Sequence, residues 1–101
     1  MGQTALDEAA LTRALQCLPG WAGDSGGIAR TFTFATFAEA IAYMQACVLE
    51  IDRLDHHPEW SNVYNKVAIR LRTHGAGNRV TALDTALATV LARIATERGA
   101  R

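Results

Sequence analysis

Long apolar runs are missing from this chain. No stretch approaches the roughly 20 residues of a membrane span, and the N-terminus lacks a basic segment leading into an apolar one. Both features fit a cytoplasmic protein that does not enter a membrane. Net charge is missing as well, since Lys+Arg and Asp+Glu balance at 10 each. No overall field therefore draws the chain to nucleic acid or a lipid surface. Cysteine is scarce: Cys17 and Cys47 stand alone without CxxC spacing. Two free thiols in a reducing compartment are a better reading than a lone disulfide. Gly26-Gly27 has no following Lys-Ser/Thr, so it is a turn and not a phosphate loop. Internal repeats and low-complexity segments are absent too.

What is present is 101 residues, half of them hydrophobic and a fifth charged. That is enough for one core, hence a single domain over residues 1–101. Thr4, with Asp7 and Glu8 behind it, predicts a capped helix over 4–17 whose apolar stripe includes Leu11 and Leu15, stopped by Pro19-Gly20. Trp21 opens a short strand that turns at Gly23–Gly27. Alternation over Ile28–Phe34 places Ile28, Phe32 and Phe34 on one face, as in a half-buried strand. Thr36 and Glu39 predict a capping box for a second helix ending near Arg53, with Phe37, Ile41, Met44, Val48 and Ile51 as its core stripe. Alternation returns from Val63 to Thr73, with Asn65-Lys66 marking either a tight turn after a short strand at 61–64 or a bulge. Thr81 and Asp84 predict a capping box for a last helix, and the tail from Glu97 is expected to fray. The order is helix-β-β-helix-β-β-helix. It implies an α+β two-layer fold, a four-stranded antiparallel sheet with helices on one face.

All three histidines, His56, His57 and His74, lie between Leu54 and His74. Histidine exchanges protons near neutral pH. Adjacent residues in extended chain point to opposite sides, so His56 and His57 do not converge on one small atom. That argues against a three-histidine metal site, although Asp52 and Asp55 stand close by. Ser61 sits on no strained elbow and neither cysteine is in the segment, which leaves no obvious nucleophile. General acid–base chemistry remains. The bland alternative, solvent-exposed loop histidines, is weakened by Pro58, which fixes the backbone beside two of them.

The residues Asp55-His56-His57-Pro58-Glu59-Trp60, Asn62-Val63-Tyr64-Asn65-Lys66-Val67 and Leu71-Arg72-Thr73-His74 resemble the signature of the pterin-4a-carbinolamine dehydratases. Trp21, the strand Ile28–Phe34, Phe37, and Thr81 with Asp84 are also similar to that family. The resemblance implies dehydration of a 4a-hydroxytetrahydropterin to the quinonoid dihydropterin in tetrahydrobiopterin recycling, a lyase reaction with no metal and no cofactor. It makes His56 and His74 the catalytic acid–base pair. His57, Pro58, Trp60 and Asp52 would bind the substrate, Asp52 standing where the family usually carries a glutamate. The partners it implies are a pterin, further copies of the chain as homodimer or homotetramer, and an aromatic amino acid hydroxylase in the same pathway. A contrasting role as a dimerisation cofactor or transcriptional coactivator also comes with the resemblance. For assembly, the residues themselves point to a wide apolar strip on the last helix (Leu87, Ala88, Val90, Leu91, Ile94 and Ala95) as a subunit contact.

Overall fold

The structure, a computed structural model, describes residues 3–101. Helices α1 (Glu8–Gln16), α2 (Phe37–Leu54) and α3 (Ala82–Glu97) alternate with strands β1 (Ala22–Asp24), β2 (Gly27–Thr33), β3 (Glu59–Val63) and β4 (Lys66–Leu71). The strands form one four-stranded antiparallel sheet in the order β1-β2-β4-β3. This is the expected helix-β-β-helix-β-β-helix α+β architecture. Among the described residues no helix is long and apolar enough to cross a membrane.

The pleat decides which residues form the core. Ile28, Phe32 and Phe34 from the β2 segment and Val67, Ile69 and Leu71 from β4 are all buried. They meet Ala40, Tyr43, Cys47 and Ile51 of α2 and Leu87, Leu91 and Ile94 of α3 in one cluster. The opposite sheet face, including Ala29, Thr31, Ser61, Ala68 and Arg70, is exposed. The β1–β2 turn depends on glycine. Gly23 has φ 151°, and a Cβ there would sit 2.1 Å from the Gly27 carbonyl oxygen. At the other hairpin Val63 pairs with Lys66, so a two-residue turn at Tyr64-Asn65, with Tyr64 at φ 52°, resolves the turn-or-bulge alternative.

Four local expectations change. The first helix starts at Glu8 with Asp7 as its cap, whose side chain accepts from the Ala10 N–H. Thr4 lies outside it, because Ala5 bridges to Thr81 and the Leu6 N–H donates to the Val80 carbonyl. The core face of α2 is Ala40-Tyr43-Cys47-Ile51, while Phe37 is 51% and Val48 46% exposed. The stripe Phe37-Ile41-Met44-Val48 is therefore a second apolar face, roughly a quarter turn round the helix. The strip on α3 is consumed inside the chain: Leu87, Ala88, Leu91 and Ala95 are each 0% exposed. Finally, the tail does not simply fray, since the Arg101 N–H donates to the Thr33 carbonyl at 2.8 Å.

Candidate active site

Helix α2 ends because Asp55 adopts the left-handed conformation, φ 49° and ψ 42°, and its N–H donates back to the Asp52 carbonyl. Pro58 follows three residues on and keeps the chain extended into β3. His56 and His57 are caught between these two constraints and diverge as alternation requires. His56 is 8% exposed and points inward, and His57 remains exposed.

The inward histidine meets α3. Its Nε2 is 2.5 Å from Oδ1 of Asp84, which is 0% exposed. Oδ2 of Asp84 accepts from the Thr81 N–H and from the Thr73 hydroxyl, both at 2.8 Å. Thr73 has one hydroxyl proton and spends it on Asp84, so the Thr81 hydroxyl donates to Thr73 Oγ1 at 2.7 Å. The Thr81 oxygen in turn accepts from the Leu83 N–H, completing the capping box that the sequence indicated. A buried carboxylate with every partner supplied is held in one orientation. It fixes His56 in turn.

The exposed histidines have carboxylates of their own. His57 Nε2 lies 3.4 Å from Asp52 Oδ1, with both side chains largely in solvent. His74 opens a 3-10 turn, His74–Ala76, that follows β4, and its Nε2 is 3.1 Å from Glu59 Oε2. Arg72 grips the same carboxylate, Nε to Oε2 at 2.7 Å and Nη2 to Oε1 at 3.4 Å. The Arg72 guanidinium first, and His74 after it, hold the Glu59 carboxyl below the usual carboxylate range.

Register explains why these groups share one end of the sheet. Glu59 pairs with Arg70 at the start of β3, so His57 just before it and Arg72–His74 just after β4 extend from the same edge. Asp84, at the N-terminus of α3, closes that end from below through Thr73. Pro58, directly after His57, is half-buried, and Trp60 is half-buried opposite Ile69, packed against the core. Trp21 is different: 5% exposed and edge-on to Phe32 at 6.2 Å, it belongs to the core. Among the described residues no group of three or more His, Cys, Asp or Glu is arranged to hold a metal ion.

Sequence reasoning passed over Glu59, Arg72 and Thr73. All three stand inside the quoted motifs with no role assigned to them. The available signal was their diagonal placement across a hairpin, which needs the register.

The fold and the site together define an α+β protein carrying histidine–carboxylate pairs at one end of an antiparallel sheet. The model of the pterin 4 alpha carbinolamine dehydratase family matches residues 4–94, and the chain belongs to that family. A relative from Afipia carboxidovorans that bears the dehydratase name is 46% identical, with 98% of this chain and 99% of that protein covered. Another so named, from Opitutus terrae, is 44% identical over 84% of this chain and 88% of its own. A crystal structure from Brucella melitensis, described as a transcriptional coactivator/pterin dehydratase, matches with TM-score 0.84 and 40% identity, over 90% of this chain and 98% of that one.

Proposed function

We propose that the chain, as one domain over residues 1–101, dehydrates 4a-hydroxytetrahydropterins to quinonoid dihydropterin and water, returning the pterin to the cycle of a pterin-dependent aromatic hydroxylase. The observation that carries this reading is the set of three imidazoles, each paired through Nε2 with a carboxylate, at one end of the sheet of a member of this family. The C4a–O bond breaks as the hydroxyl gains a proton and leaves as water, and N5 loses its proton. Two proton transfers balance the step and no electrons leave the pterin, so imidazole chemistry is sufficient. His56 and His74 act as the acid–base pair. His57, with Asp52 behind it and Pro58 and Trp60 beside it, holds and orients the ring. Asp84 positions His56 and does not touch the pterin.

The test is an absorbance assay of quinonoid formation from 4a-hydroxytetrahydropterin. A rate above the uncatalysed one that survives exhaustive chelation supports the reading, and a rate equal to buffer alone would overturn it. Assembly belongs to the same proposal. The open apolar face of α2, with Phe37 and Val48, and the 77% exposed Leu49 a quarter turn beside it, favours a homodimer or homotetramer built by helix packing. That face also favours the second reading, a coactivator surface, in keeping with the description of the Brucella melitensis protein.

A further inference from the structure

We infer that Glu59, clamped by Arg72, is the positioning residue of His74, and that His74 presents its Nδ1 to the reacting pterin. This rests on the reading of His74 as one of the acid–base pair.

The geometry assembles from the hairpin. Glu59 faces Arg70 across the β3–β4 ladder on the open side of the sheet, and alternation puts Arg72 on that side one step beyond. Long side chains reach such diagonal neighbours. Arg70 turns away, with Nη2 directed to the Gly26 carbonyl at 3.4 Å. Arg72 therefore takes the carboxylate, and its fork contacts both oxygens. A guanidinium never gives up its charge, and two-point contact fixes the plane of the carboxylate.

His74 has no comparable packing. Its side chain is 70% exposed, and its one polar contact among the described residues is Glu59 Oε2 at 3.1 Å. The orientation of this ring thus depends on the clamped carboxylate. Arg72 keeps Glu59 ionised, so Glu59 accepts the Nε2–H and exchanges no proton itself. The proton that His74 handles passes through Nδ1, the nitrogen turned away from Glu59. His56 follows the same rule, with Nε2 committed to Asp84. The His57–Asp52 pair differs: it is longer, 3.4 Å, with side chains 63% and 67% exposed. It lacks a clamp, as suits a binding contact more than a proton relay.

The experiment measures kcat and KM of quinonoid formation for Glu59→Gln, Glu59→Asp, Arg72→Gln, His74→Ala and Glu59→Gln combined with His74→Ala. Loss of an orienting group acts on turnover more than on binding. Glu59→Gln is expected to lower kcat about 10-fold or more with KM within about twofold. Glu59→Asp recovers part of the loss because the charge returns, and Arg72→Gln falls in between. In the His74→Ala background Glu59→Gln should add nothing, since a positioning residue has nothing left to position. Wild-type kcat in Glu59→Gln, or its full loss persisting without His74, overturns the inference. Wild-type turnover in His74→Ala alone would instead overturn the acid–base reading on which it rests.

Discussion

At the scale of single residues the exposed histidines separate by role. His74→Ala should cut kcat by about 10²-fold or more while the melting temperature stays near wild type, because the side chain is exposed at the end of a strand. His57→Ala should act mainly on KM, as loss of a ligand contact does. Steady-state kinetics beside thermal melts would show whether the two effects divide in this way. Glu59 adds an acid-sensitive contribution to stability. Its folded pKa is depressed, so pairing with Arg72 and His74 stabilises above the unfolded carboxylate value near 4.3 and is lost as pH falls through the lower folded value. Wild type should therefore melt above Glu59→Gln at pH 6, with the gap closing in strong acid. The thiols differ as well: burial pushes Cys47 up to about 11, while Cys17 is exposed. One thiol should react with a disulfide reagent at pH 8 in the native protein and both after unfolding. The histidines were legible in the sequence because three of a scarce residue type share one segment. Their carboxylates were not, because Glu59 and Asp84 reach His74 and His56 from 15 and 28 positions away.

At the scale of elements, the start of α3 is the most heavily used turn in the fold. Asp84 accepts from the Thr81 N–H and the Thr73 hydroxyl and contacts His56, all without solvent. Asp84→Ala leaves those donors buried and unpaired, at about 3 kcal/mol or more, the sum of a lost cap and lost hydrogen bonds to a charged group. Asp84→Asn keeps the shape and should cost less. Urea unfolding of the two variants would rank them. The Thr36 cap, the capping box at Thr81 and Asp84, and β2 were readable because their signals are local, although Thr36 and Glu39 form the cap without the reciprocal half of the expected box. Helix α1 was not placed correctly because Thr4 and Asp7 both make acceptable caps, and the bridge from Ala5 to Thr81 decides between them. Helix α2 was rotated in the reading because it is apolar on two faces. Tyr43, whose hydroxyl donates to the Leu91 carbonyl at 3.0 Å, and Cys47 weigh less on a hydrophobicity pattern than Phe37 and Val48.

At the scale of the whole molecule, the outer side of α2 and the buried face of α3 carry opposite expectations. Leu49→Glu should convert an oligomer to single 10.9 kDa chains with the fold intact, since that side chain is 77% exposed. Leu91→Glu should unfold the chain instead, because it buries a charge within the core. Light scattering with circular dichroism would distinguish dissociation from unfolding, and a monomeric wild type would remove α2 as a subunit contact. The sheet end also divides in another respect. Asp84 is at once a keystone of α3 and a partner of His56, whereas Glu59 and Arg72 form a half-exposed pair on the open side of the sheet. In a pooled library, changes at Asp84 pass through two filters, one for folding and one for turnover, and few survive either. Changes at Glu59 or Arg72 remove only a half-exposed ion pair from the fold and meet chiefly the second, so slow but folded proteins accumulate there. One half of the site is thus closed to drift, and the other is where a lineage or a designer has room to retune the rate without losing the protein.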